Sequence, residues 1–232
     1  MAALIRIIYD GYRHINENLS DPRTQDYFLI KSPWGYLSII LFYLYFVYEL
    51  GPNIMAKRKP FNLDKILQIY NLIQIVSCGY IFYKAMVLAW LNDYSFYCQP
   101  VDYSYDPRAV EITRMVWLYF LIKLFDLLDT VFFVLRKKQQ QISFLHVYHH
   151  TGMTFGTWVC TKFLPGGHIT LLGNICYTTC RYDKLFRSRG YVHLLSDHFV
   201  TIKQTMVEEI RDPITTHTIL CNTGTLYIAG VG

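Results

Sequence analysis

Four long apolar runs separated by short polar loops organise the chain, at Pro33 to Leu50, Ile66 to Leu91, Val110 to Leu135 and Ile142 to Leu164. Each is near the ~20 residues that a helix needs to cross the hydrocarbon of a bilayer. The loops between them alternate in charge. Lys57, Arg58, Lys59 and Lys65 follow the first run, and Arg136, Lys137 and Lys138 join the third to the fourth. The loop from Asn92 to Ala109 carries Asp93, Asp102 and Asp106 against Arg108, and the N-terminal segment is of mixed charge. An excess of Lys and Arg marks the cytoplasmic side, so the two basic loops are expected there and the other two segments on the lumenal side.

Composition agrees with an all-α integral membrane protein. The 232 residues are 53% hydrophobic, 17% aromatic and only 17% charged, and the mean hydropathy is +0.20. These values exclude disorder and coiled coil. The formal charge of +5 is modest and forms no basic face, so no nucleic-acid partner is expected. Six cysteines at 78, 98, 160, 176, 180 and 221 contain no C-x-x-C pair, which argues against a zinc site or a disulfide framework. The first thirty residues lack the apolar core of a cleavable signal peptide. Asn18-Leu19-Ser20 is a glycosylation sequon on the expected lumenal side.

The candidate chemistry lies where charge is costly. The third run places Lys123, Asp126 and Asp129 at its middle, and ionisable groups at such depth mark function by default. The plainer alternative is a Lys123–Asp126 pair at i, i+3 that neutralises itself. The fourth run opens with His146, His149 and His150, which the i+3 and i+4 spacings put on one helical face. Counted at 1.5 Å per residue from the shared loop, Asp129 and His149 both lie roughly 10 Å or slightly more from it. One polar site in the cytoplasmic half is therefore expected. H-x-x-H-H is also a ligand spacing of membrane di-iron desaturases and hydroxylases, but His14, His168, His193, His198 and His217 form no second cluster. The alternative is metal-free chemistry with imidazole as nucleophile or base.

The run KLFDLLDTVFFVLRKKQQQISFLHVYHHTGM, with YFVYELGPNIMAKRKPFNL before it and FLPGGHITLLG after it, closely resembles the fatty acid elongases of the endoplasmic reticulum, especially insect members. The resemblance runs from about Asp21 to Gly173. It implies a fold of seven transmembrane helices, about four of them present here, with a lumenal N-terminus. It also implies a 3-ketoacyl-CoA synthase that condenses long-chain acyl-CoA with malonyl-CoA, losing carbon dioxide and lengthening the chain by two carbons. By resemblance His149 is the acyl acceptor. His146, His150 and Lys123 are candidate donors to the enolate, and Asp126 and Asp129 orient the imidazoles. Lys57, Arg58, Lys59, Arg136, Lys137 and Lys138 could hold the CoA phosphates, or serve only as positive flanking charge. No bound cofactor or metal is implied. Other elongase subunits and the reductase and dehydratase of the cycle are implied as partners in the endoplasmic reticulum membrane.

Residues 1–175 are thus expected to form the elongase-like transmembrane domain, and 176–232 a divergent tail. The family's N-x-x-x-H-x-x-M-Y motif is replaced by NICYTTCRY, with Thr178 where His is expected. Arg181, Asp183 and Lys184 cut short the apolar run that begins at Ile169, leaving too few residues for a fifth span. Thr201 and Gln204 match the later T-x-x-Q-x-x-Q signature only superficially, with Val207 in the second Gln position. The abruptness points to translation past the last matching exon or to an alternative transcript. A catalytically inactive, truncated elongase-like membrane protein is the second reading, and a di-iron desaturase or hydroxylase the third.

Overall fold

The computed structural model describes residues 2–92, 94 and 99–167. Residues 176–232, with the expectations of a divergent tail, of no fifth span and of a superficial later signature, lie outside the described residues. Among the described residues every regular element is helical: α1 (Ala2–Arg13), α2 (Pro33–Tyr45), α3 (Gly51–Ala56), α4 (Asp64–Ala85), α5 (Pro107–Phe125), α6 (Leu128–Leu135) and α7 (Phe144–Phe163). Wider π turns at Phe46–Leu50 and Met86–Trp90 join α2 to α3 and extend α4. Pro33–Ala56 and Asp64–Ala89 are each long and apolar enough to cross a membrane.

The third and fourth expected runs are both helical, the fourth as the single helix α7. Arg108, Glu111, Arg114 and Lys123 load α5 with charge, and Leu127 N–H bonds back to Leu124 O as the helix tightens and stops. The run from Val110 to Leu135 holds two consecutive helices, α5 and α6, joined by a turn at Asp126–Leu127. The helix of the first apolar run continues past Leu50 to Ala56, through the π turn Phe46–Leu50, with Pro52 in the first turn of α3.

The chain divides into two compact units. The first comprises Met1–Leu72 and Val116–Pro165. Its core stacks Tyr36 on Trp158 at 5.6 Å between centroids and sets Phe120 edge-on to Tyr36 at 6.1 Å. Helix α7 turns a stripe of buried Thr154, Thr157 and Thr161 inward, each hydroxyl bonded to the carbonyl four residues back. Small polar side chains satisfied in this way let helices approach closely.

The irregular segment between α1 and α2 would leave carbonyls bare, yet side chains reach them. Trp117 Nε1 donates to Phe28 O (3.2 Å), Trp158 Nε1 to Leu29 O (2.9 Å), and the buried Lys162 Nζ to Ile30 O (2.9 Å) and Lys31 O (3.3 Å). Leu29 sits at φ 66°, a left-handed conformation costly for a branched residue. Asp21 N–H returns the favour to Lys162 O at 2.9 Å, and the buried Asp21 carboxylate holds Arg23 at 2.6 Å.

Gly51 shows why the first span needs a glycine. The preceding π turn brings Phe46 O to 2.7 Å, and Val134 of α6 to 2.6 Å, from where a Cβ would stand. Gly51→Ala is expected to destabilise the fold by about 1 to 3 kcal/mol, since backbone must move on one side and a packed helix on the other. Thermal unfolding in detergent reads this, with the exposed Gly156, whose Cβ position is open, as the control that loses nothing.

The second unit is built on Ile73–Met115. Here Asp106 caps α5 through Arg108 N–H (3.1 Å), and Arg108 Nε donates to Leu88 O at 2.6 Å. Lys84 and Glu111 pair at 3.2 Å.

Candidate active site

The site forms where α6 meets the opening turns of α7, both in the first unit. Ser143 starts α7: its Oγ accepts the His146 N–H at 3.1 Å, the capping bond that a helix start needs. The three histidines therefore occupy the first two turns. His146 and His150 are half-buried with ring centroids 4.4 Å apart, while His149 is exposed and lies nearly perpendicular to His150 at 5.9 Å. Phe133 of α6 packs on His146 at 5.5 Å.

On the other side, the turn at Asp126–Leu127 holds the buried ion pair. Lys123 Nζ and Asp126 Oδ2 are 3.7 Å apart, each side chain about 5% exposed or less, and the ammonium also lies 5.2 Å from the Tyr119 ring centroid. The Thr154 hydroxyl donates to His150 O at 2.6 Å and stands 3.5 Å from Lys123 O, which puts the end of α5 level with the third turn of α7, one turn beyond His150. Lys123 and Asp129 both lie within electrostatic reach of the His150 ring. Asp129 is half-buried on the first turn of α6.

Two residues that sequence reasoning did not single out complete it. Thr130 Oγ1 is 3.0 Å from His146 Nε2, and the Tyr43 hydroxyl of α2 is 2.9 Å from the same Oγ1. Thr130 stood next to Asp129 in the motif already quoted. Tyr43 carries no local signal, being 87 positions away.

The two basic loops meet. Phe61 N–H donates to Leu135 O (3.2 Å), Lys137 Nζ to Ala56 O (3.4 Å) and Arg136 Nη2 to Asp64 Oδ1 (3.2 Å). Lys57, Arg58, Lys59, Lys137 and Lys138 are exposed, and Arg136 is half-buried. They make one basic surface at the end of α6, from which the chain leads directly into the histidines. Asn18 is exposed, with its amide 3.0 Å from His14 Nδ1, and the Ser20 of its sequon is buried against Asn16 O. Among the described residues, no group of three or more His, Cys, Asp and Glu could hold a metal ion.

Comparison with known proteins bears on this arrangement. The family model described as ELO: GNS1/SUR4 family matches residues 28–206, a stretch that takes in every candidate site residue except Asn18 and continues past Gly173. The chain is 44% identical over 169 residues to very long chain fatty acid elongase 7 of Drosophila melanogaster, covering 73% of this chain and 51% of that one. It is 41% identical over 167 residues to very long chain fatty acid elongase 1 of Mus musculus, covering 72% and 58%. The human protein of that name is 42% identical over the same length, again covering 72% and 58%. The chain spans about half the length of the curated relatives it matches.

Proposed function

The chain belongs to the ELO, GNS1/SUR4 family, and from that premise we propose that it is a fatty acid elongase, a 3-ketoacyl-CoA synthase of the endoplasmic reticulum membrane. What carries the reading is the histidine cluster at the start of α7, packed on α6 beside the buried Lys123–Asp126 pair and approached by a basic surface.

The chemistry follows from these groups. His149, exposed at the cluster, attacks the acyl-CoA thioester; the N–C bond forms, the C–S bond breaks, and the ring proton leaves with the CoA thiol. Malonyl-CoA then loses carbon dioxide, and the electron pair of the broken C–C bond becomes an enolate. Donors at His146, His150 and Lys123 stabilise its oxygen. The enolate carbon attacks the acyl carbon, the N–C bond breaks, and the imidazole takes up one proton. The product is a 3-ketoacyl-CoA two carbons longer. Decarboxylation supplies the nucleophile, so the reaction as written needs no metal or redox cofactor. Asp126 and Asp129 orient the imidazoles. The acyl chain lies among the apolar helices, and the reductase and dehydratase of the cycle consume the product.

Microsomes expressing the chain, given long-chain acyl-CoA and malonyl-CoA labelled in the methylene carbon, are expected to yield labelled acyl chains two carbons longer. No product above the level of microsomes without the chain would sink the reading. Iron in the purified protein at one or two equivalents would favour the desaturase or hydroxylase reading.

The basic surface has its own consequence. Replacing Lys57, Arg58 and Lys59 together by alanine is expected to raise the KM for acyl-CoA about tenfold with kcat little changed, because exposed cations contribute to binding and not to bond making. Steady-state kinetics at two salt concentrations check it. An unchanged KM with the wild-type salt dependence would assign the three charges to membrane flanking alone.

A further inference from the structure

We propose that Tyr43, acting through Thr130, fixes His146 in the tautomer that carries its proton on Nδ1. The Tyr43 side chain is buried, and among the described residues its hydroxyl has one hydrogen-bond partner, Thr130 Oγ1 at 2.9 Å. A phenol proton left without an acceptor in such a place is costly, so Tyr43 is the donor. Thr130 is fully buried, and the second partner of its hydroxyl is His146 Nε2 at 3.0 Å. With one lone pair receiving the Tyr43 proton, the single threonine proton goes to Nε2. That nitrogen is an acceptor. A neutral imidazole with one accepting nitrogen carries its proton on the other, which is Nδ1.

The tautomer bears on the division of labour among the histidines, and there it rests on the condensing reading above. The Nε2 lone pair of His146 is engaged by Thr130, and a protonated Nδ1 has no lone pair to offer. His146 is left as a hydrogen-bond donor and not an acyl acceptor, while His149, exposed one turn further along, keeps the nucleophilic role. Tyr43 and Thr130 are positioning residues that act through His146.

The experiment is nuclear magnetic resonance of the full chain in lipid nanodiscs with 15N,13C-labelled histidine, the His146 signals being those that vanish in His146→Gln. The unaltered chain is expected to show Nδ1 protonated and Nε2 bare and hydrogen-bonded. Thr130→Val should move about half or more of His146 to the other tautomer, Thr130→Ser should restore the original spectrum, and Tyr43→Phe should fall between. A proton on Nε2 in the unaltered chain, which requires no variant to fold, overturns the proposal. So do identical spectra for the valine and serine variants, or an acyl adduct mapped to His146. The expected tautomer in a chain that forms no condensation product would uphold the relay and sink the enzymatic reading instead.

Discussion

Alanine in place of His149 is expected to lower malonyl-dependent chain extension by about three orders of magnitude while leaving the protein as stable as before. The asymmetry follows from its position. His149 is exposed and meets its neighbour His150 ring to edge at 5.9 Å, so removing it opens no cavity. On the proposed mechanism, its loss takes away the group that receives the acyl chain. Without acyl transfer to protein, the reaction must proceed by direct attack of the malonyl enolate on the thioester, which the site is not built to assist. Two measurements together decide it. Incubation with acyl-CoA alone, followed by proteolysis and mass spectrometry, should find an acylated peptide containing position 149 in the unaltered protein and none in the variant. The variant's labelled product should fall to background. More than a tenth of the activity remaining in His149→Ala would remove it from the nucleophilic role.

The second large effect concerns the buried ion pair. Lys123→Met is expected to destabilise the protein by about 3 to 5 kcal/mol, because the Asp126 carboxylate then stays in the interior without the ammonium at 3.7 Å. Removing both charges together, as in Lys123→Met with Asp126→Leu, should recover most of that loss, since no uncompensated charge remains. Thermal unfolding of the purified proteins in one detergent gives the stabilities, and the same preparations give activity. A double variant that is stable but inactive shows that the pair serves the chemistry. One that is stable and fully active would reduce it to a self-neutralising lock between helical segments. If Lys123→Met alone costs less than about 1 kcal/mol, the value of an exposed pair, then the burial argument itself fails.

How far the sequence reads ahead of the fold depends on whether the deciding interaction is local. Apolar runs and their flanking charges marked two stretches that are helical and long and apolar enough to cross a membrane, because length and composition are local properties. The histidine face was readable from i+3 and i+4 spacing, and Ser143 begins α7 one residue after the expected start of the run. The break at Asp126–Leu127 was not readable, since LFDLLDTVFF continues the same apolar pattern on both sides. Loop charge alone put the two basic loops on one side, and the bonds Phe61–Leu135 and Arg136–Asp64 join them. The Tyr43–Thr130–His146 chain had no local signature at all. It depends on helices brought together by packing, and nothing in a buried tyrosine distinguishes it from the other nineteen tyrosines until its neighbours are known.

The carbonyls of residues 28 to 31 carry a consequence for the order in which the protein is made. Their donors, Trp117, Trp158 and Lys162, lie 89, 129 and 131 to 132 positions further along the chain. At a synthesis rate of roughly 5 to 20 residues per second, the N-terminal segment waits many seconds for the last of them. Through that interval its carbonyls have only water or lipid headgroups to satisfy them, and Leu29 has no reason to hold its unfavourable backbone angle. The seam closes only when the far end of α7 emerges, and the Lys162 ammonium finds its place in the interior at the same moment. Burial of one lysine thus reports that both ends of the unit have arrived, and a nascent chain stopped before residue 162 should stay open to proteases between α1 and α2.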